Sequence, residues 1–485
     1  MAKDRWTRMA HVFWVLTLLT LPVTSFRFYP SAFGAMVRPL AFGPLIIFVL
    51  LQAAAVLLGR RAWPRWGWAL WVPWAAWLAW ALVSTGYALS QPGPPPYLGT
   101  TYPQRALRAW ISLAVGQLFF LGGLWAHQAR DEATLRRSFR WLYVGFLLVA
   151  AWATLQTIAI AFNHFELARW IDNTQAWVVL RGWGDRRRVQ GLAFEPSWFA
   201  DQLTRLYLPW LIALWWSGYR FGPRWLAPLN VAGVFVLLFW TYSRTGLLTA
   251  LAVLGLIGLL VLVRGWMAGH QPTARRLGRG LWGLMLGMAF LALVAGLANQ
   301  RYDYLRVLLD VPQGKPLIYY FVNIRAGPRL AYAWAGANIY LQHPWMGVGL
   351  GGAPFYMEEA LPEWSRTILW EVARVTSPLH RTLLNPKNLY VRVLAETGIV
   401  GGVWVLVFLI VWLAASLRMF WRARDAFERF IGLAALWVGL STLIVWASID
   451  SLALPNFWLN AGMLAPYLTT ALAREPAPPS SPPVA

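Results

Sequence analysis

Residues 239–254 read FWTYSRTGLLTALAVL. The windows 225–242 and 245–264 around this stretch are both apolar and close to membrane-crossing length, which leaves almost no chain for a connection. A crossing helix needs about 20 mostly apolar residues. The stretch therefore reads as the tight turn of a helical hairpin in a bilayer, with Arg244 standing in the turn. A charge at membrane depth is expensive to keep and points to function by default.

The same window, moved outward, gives approximate spans at 10–26, 39–59, 66–86, 109–127, 141–162, 197–217, 280–298, 397–417, 429–447 and 454–473. With the hairpin this makes about twelve transmembrane helices. Composition agrees: 59% of the 485 residues are hydrophobic, 13% are charged, and the mean hydropathy is +0.49. A soluble domain of this length needs more polar surface. The expected fold is an all-α polytopic membrane protein. Residues 1–473 form a single integral domain, with a large helical loop at 299–396 between the ninth and tenth spans. The Pro-rich tail 474–485 is expected to be disordered. The opening MAKDRWTRMAHVFWVLTLLTLPV has a basic start and an apolar core but no close cleavage site, so it reads as a retained first helix.

Lys and Arg number 42 against 19 Asp and Glu, and only Lys3, Lys315 and Lys387 are lysines. Short loops carrying Arg60, Arg61, Arg65, Arg136, Arg137, Arg140, Arg275, Arg276, Arg279, Arg418 and Arg422 all fall on one side. That side is cytoplasmic by the positive-inside rule, which also puts both termini inside. The charge therefore calls for no nucleic acid. Without cysteine, disulfides and thiolate chemistry are excluded. No HExxH, Asp-rich run or His cluster suggests a metal, and no cofactor is expected.

The other side holds three longer loops, 87–108, 163–196 and 299–396, and nearly as many arginines. Arginine recognises phosphate through a planar, permanently charged fork. Arg188, Arg244 and Arg329 come from three separate segments on this side. If they converge, they suit a diphosphate headgroup on a lipid and the charge that develops as it leaves. Glu195, in GDRRRVQGLAFEPSW, reads either as a helix cap beside Pro196 and Ser197 or as a general base. Asp201 and Arg205, four apart on one helix face, read as an ion pair that makes their burial tolerable. HPWMGVGLGG, from His343, reads as a tight turn that lets an outer helix approach the bundle.

Four motifs occur in order: RVQGLAFEPS from Arg188, SRTG from Ser243, RLAYAWAGANIYLQHPWMGVGLGG from Arg329, and NLYVRVLAETGIVGG from Asn388. This set resembles the O-antigen ligase/polymerase superfamily of bacterial envelope enzymes. The resemblance implies a C-type glycosyltransferase fold in the bacterial inner membrane with its active site on the periplasmic face. The implied substrate is an oligosaccharide on a polyprenyl diphosphate, transferred with inversion and without a metal. A chain-length-regulating co-polymerase is a further implied partner. Arg188, Arg244 and Arg329 match the family's arginines. The family's last motif usually begins His-Asn, whereas Lys387 and Asn388 stand here. Base duty then falls to Glu195 or His380, and Lys387, Asn388, Tyr390, Arg325 and Glu396 are the expected substrate contacts. The EPS form at Glu195 resembles polymerases more than ligases, so polymerase is the expected activity. A ligase that moves finished glycan to another acceptor is the rival. A lipid-linked sugar transporter or an assembly scaffold is the reading from outside the enzyme class.

Overall fold

The computed structural model describes residues 2–30, 36–62, 68–184, 187–267, 310–314 and 316–473. Among these residues the chain is helical, and its only β features are three isolated bridges. The helices are α1 (Ala2–Thr20), α2 (Phe42–Leu57), α3 (Trp68–Ser90), α4 (Tyr102–His127), α5 (Glu132–Ala161) and α6 (Phe165–Ala176). Next come α7 (Pro196–Asp201), a π-helical turn (Gln202–Tyr207), α8 (Leu208–Ser217), α9 (Leu226–Trp240) and α10 (Arg244–Met267). They are followed by α11 (Leu317–Asn323), α12 (Gly327–Gln342), α13 (Met357–Ala360), α14 (Glu363–Ile368) and α15 (Trp370–Thr376). The chain closes with α16 (Leu389–Trp421), α17 (Ala426–Val445) and α18 (Pro455–Ala473).

Local chemistry sets several of these boundaries. Helix α4 opens on a reciprocal Thr101–Gln104 capping box with Pro103 in its first turn. The Asp131 carboxylate accepts from the Thr134 amide at 2.7 Å to start α5. Asp425 does the same for the Glu428 amide at 2.8 Å to start α17.

Five helices, α4, α5, α10, α16 and α17, are long and apolar enough to cross a membrane, and α2 and α9 are shorter apolar helices. The expected count of twelve is not reached among the described residues, for identifiable reasons. The window 280–298 and Arg65, Arg275, Arg276 and Arg279 lie outside the described residues, as does the tail 474–485. The windows 10–26, 66–86 and 454–473 fold as α1, α3 and α18, whose charges, tryptophans and asparagines dilute their hydropathy. The window 197–217 is divided by the π-helical turn.

That turn sits on a buried polar network. Arg205 grips Asp201 through Nε and through Nη2, the latter at 2.6 Å, and both residues are almost fully buried. Asn456 of α18 donates to the same Asp201 carboxylate at 2.6 Å. Asn460 donates to the Arg205 carbonyl at 2.7 Å, and Trp437 of α17 donates to the Thr204 carbonyl at 2.7 Å. A π bulge breaks the regular i to i−4 ladder, and side chains from α17 and α18 take up carbonyls within it. The ion pair expected from the i, i+4 spacing is present and is cross-linked to a third helix.

The segment 343–352 and helix α16 interlock. Gly398 has φ 66° and breaks α16 into two arms. Into this break run Ile399 N to Pro344 O at 2.8 Å and Val348 N to Ala395 O at 2.9 Å. A Cβ on Gly347 would meet the Glu396 carbonyl carbon at 2.4 Å, and one on Gly398 would meet the Trp345 oxygen at 2.0 Å. The glycines thus permit two backbones to touch. Ser84 of α3 closes the junction by donating to the Met346 and Glu396 carbonyls at 2.6 and 2.9 Å.

The described part of the large loop has a core of its own, built from Tyr332, Ile339, Met357, Leu361, Leu369 and Val372 among others. Its run from Met357 to Thr376 forms three short helices, because Pro362 and the extended Leu369 interrupt it. Glu358 accepts from the Tyr97 hydroxyl at 2.5 Å and pairs with Arg381 at 3.5 Å.

Candidate active site

Three loop-borne segments meet at the end of the bundle where α7, α10 and α12 begin. The first is 188–191. The Val189 amide donates to the Trp240 carbonyl at 2.9 Å, and Arg188 Nε donates to the Thr241 carbonyl at 2.8 Å. Behind them, one Gln156 side-chain oxygen accepts from both the Gln190 and Gly191 amides, at 3.0 and 2.9 Å. Gly191 has φ 55° and lies against the Phe199 ring, where a Cβ would sit 2.8 Å from it. The segment is therefore held from both sides, and Arg188 is left half-buried rather than loose.

The second segment is the hairpin turn between α9 and α10. Ser243 turns the chain with its amide on the Thr241 hydroxyl at 3.1 Å, and Arg244 starts α10. A guanidinium nitrogen of Arg244 donates to the Ile324 carbonyl. That carbonyl belongs to the third segment. Arg325 follows it at φ 53°, and α12 starts at Gly327 with Arg329 in its first turn. Arg325 and Arg329 are exposed. Direct bonds thus join the Arg188 segment to the Arg244 turn, and that turn to the Arg325–Arg329 segment.

Glu195 reaches the same end on α7. Helices α7 and α10 cross where Gly246 meets Ala200, at 2.7 Å from the Cβ that glycine lacks. The backbone carbonyl of Glu195 accepts from the Trp198 and Phe199 amides at 3.1 and 3.2 Å. Its side chain makes no capping bond and instead accepts from the Ser197 hydroxyl. Of the two readings of this residue, a capping carboxylate is not what the structure displays. The Phe194 amide, donating to the Thr24 hydroxyl at 2.9 Å, fixes the approach to α7.

The last motif joins through α12. Gly336 lies against Val391 and Pro386, 2.6 and 3.1 Å from a Cβ built there. Lys387 is exposed at φ 56°, directly before the α16 cap. The expected substrate contacts beyond it have structural partners. Asn388 accepts from the Val391 amide at 3.2 Å as the cap, and the Tyr390 hydroxyl donates to the Leu443 carbonyl at 2.7 Å. Glu396 is 1% exposed and accepts from Arg392 Nε at 3.1 Å. Arg392 also donates to the Asp450 carbonyl at 2.7 Å. His380 is exposed in the turn after α15, next to the Arg381–Glu358 pair. Burial and the Glu358 carboxylate push the neighbouring Tyr97 phenol up to about 12.

Sequence reading missed Arg105, Gln156 and Thr24. Arg105, in the first turn of α4, donates to the Asn385 side chain at 3.2 Å and so steadies the approach to Lys387. By sequence it lies in the 87–108 loop just ahead of the apolar window 109–127, where a single arginine draws no attention. Gln156 and Thr24 carried no signal, because one glutamine or threonine in a span is unremarkable until its partners are known.

The arrangement presents permanent cations from three segments at one end of the bundle, with a carboxylate nearby on α7. It suits an anionic, phosphate-bearing group. Among the described residues, no cluster of three or more His, Asp or Glu side chains is placed to hold a metal ion. No curated protein matches the chain. Residues 229–406, which include the Arg244 turn, the Arg329 helix, the glycine-rich segment and the α16 break, match the family model described as O-antigen ligase. Over that stretch the chain is similar to this family, which supports the resemblance to the O-antigen ligase/polymerase superfamily carried by its motifs.

Proposed function

We propose that this chain is an envelope polysaccharide polymerase acting on glycans carried by polyprenyl diphosphate. A hydroxyl at the non-reducing end of one lipid-linked unit attacks the anomeric carbon of another. The new carbon–oxygen bond forms as the bond from that carbon to the diphosphate oxygen breaks, so the configuration inverts. Arg188, Arg244 and Arg329 hold the departing diphosphate, with Arg325 and Lys387 at its margin. Glu195 takes the hydroxyl proton, with His380 the alternative base. Asn388, Tyr390 and Glu396 act by positioning the α16 arm rather than by touching sugar. Holding two lipid-borne substrates in register supplies much of the rate. In this reading the chain crosses the bacterial inner membrane about twelve times. Its arginine-rich short loops face the cytoplasm, and the arginine site faces the periplasm.

One observation supports the proposal: Arg188 bonds the segment that carries Arg244, and Arg244 bonds the segment that leads to Arg329. The test is Arg244→Ala in the full chain. Long glycans should vanish while the protein still inserts, and unchanged chain length would sink the role of this residue.

The family description favours a second reading, transfer of finished glycan to a separate acceptor. A purified acceptor such as lipid A core discriminates. A ligase glycosylates it, whereas a polymerase ignores it and lengthens the lipid-linked glycan.

A further inference from the structure

A cavity of about 540 Å³ opens at the other end of the bundle, between the start of α1, the end of α2, the end of α4 and the start of α5. The candidate active site meets α1 at Thr24, just beyond that helix's far end. At 1.5 Å per residue, the helix places the two sites about 20 Å apart. The proposed transfer chemistry makes no use of this cavity.

The lining is strongly cationic. Arg8, His11, Arg60, Arg61 and Arg137 all border it, and none of its lining residues is Asp or Glu. Asp131 lies within electrostatic reach of Arg137, but its carboxylate caps α5 on the Thr134 amide at 2.7 Å. The wall is built rather than loose. Arg61 bonds the Gln52 side chain and donates to the Trp125 carbonyl at 3.2 Å. Burial pushes its guanidinium down from the ordinary arginine value. Trp6 donates to the Leu51 carbonyl at 3.0 Å and lies 5.7 Å under the Arg60 guanidinium. Trp14 donates to the Ser138 hydroxyl at 2.9 Å at the back of the cavity. Arg60, Arg61 and Arg137 around one recess raise its positive potential, which favours an anion between them.

The mouth is apolar. Val12 lines the cavity and is 54% exposed, and on the same face of α1 Met9 and Leu16 are 48% and 41% exposed. Residues three and four apart form one stripe along a helix. A headgroup in the recess would therefore have its acyl chains beside an apolar track.

We propose that this cavity binds a phosphate-bearing anion, the headgroup of an anionic phospholipid in the leaflet at this end of the bundle. Basic recesses between membrane helices suit such headgroups, each nearby arginine adding to the attraction. The phosphate is the recognised chemistry, and the apolar stripe argues for the lipid as its source over a soluble phosphate.

The test is native mass spectrometry of the detergent-purified full chain, titrated with phosphatidylglycerol, phosphatidylcholine or inorganic diphosphate. Phosphatidylglycerol should bind about 10-fold tighter than phosphatidylcholine, and the Arg60→Gln/Arg137→Gln double variant should lose about that factor. Arg140→Gln, an exposed arginine on the same helix end but outside the lining, should bind as the unaltered chain does. Melting temperature in phosphatidylcholine checks that each variant is folded, and Arg137→Gln alone serves if the double variant is not. Retention of inorganic diphosphate in a manner sensitive to Arg60 and Arg137 would keep the anion site and make its source soluble. Equal binding of the two lipids, or equal losses in the pocket variant and Arg140→Gln, would overturn the proposal.

Discussion

Arg188 Nε donates to the Thr241 carbonyl at 2.8 Å, three residues before Arg244. One donor of the guanidinium fork is thus used to join two motifs that lie more than fifty residues apart. Arg188→Lys keeps the charge but loses the planar fork, and one ammonium cannot serve the carbonyl and a phosphate with the same geometry. The expected outcome is a loss of glycan polymerisation of about 100-fold or more, the range for removing one donor to a developing anion. Gel ladders of glycan chain length, read beside protein abundance in the membrane, check it. Wild-type ladders in Arg188→Lys would mean that charge alone suffices.

Gly398 lies 2.0 Å from the Trp345 oxygen, measured from the Cβ it lacks, and holds φ 66°. Gly398→Ala meets both a backbone clash and an unfavourable dihedral. The α16 break has to open or the glycine-rich segment has to leave it. The expected cost exceeds about 1 kcal/mol, seen as a lower melting temperature in detergent and faster proteolysis around 343–352. Gly402→Ala is the comparison, since its added Cβ meets only the end of the Leu394 side chain.

Glu195 accepts from the Ser197 hydroxyl and makes no capping bond, so its loss is expected to affect chemistry more than folding. Glu195→Gln should lower turnover by about 100-fold or more, the usual contribution of a general base, while melting temperature stays near that of the unaltered chain. His380→Ala distinguishes the alternative base. If His380→Ala abolishes turnover and Glu195→Gln does not, the proton goes to the imidazole.

Much of this arrangement was legible from charge placed where hydropathy alone would forbid it. Arg244 stood out because the tight turn between two apolar windows keeps a charge at membrane depth, and the Asp201–Arg205 pair because an apolar window should not contain it. Spacing alone gave the second as a pair, and the structure shows the pair. The segment contacts were not legible. Nothing in the residues around Gln156 announces that one side chain will hold two amides of a loop thirty-four residues away. The helix count was blurred for a related reason. Tryptophan and asparagine sit comfortably where they find partners, as Trp210 and Asn460 do at 2.8 Å, so an apolar window overstates or understates a helix according to contacts it does not contain. Glu396 is an expected substrate contact because it lies in a motif; that it is buried on Arg392, two residues before the break at Gly398, could not be read from the motif.

The Asp201–Arg205 pair gives the sharpest separation of stability from chemistry. Asp201→Ala leaves Arg205 buried without its carboxylate, and removes the acceptor of Asn456 as well. Breaking one side of a buried pair costs about 3–5 kcal/mol, so the variant should melt far lower and accumulate poorly in the membrane. Replacing both residues with apolar ones, Asp201→Val with Arg205→Met, removes the stranded charge and should recover part of that loss. Asn456 then loses its partner in either case, which caps the recovery below the original stability. Melting temperatures of the single and double variants check the argument. If the double variant melts no higher than Asp201→Ala, the network is cooperative through the π-helical turn and not through the pair.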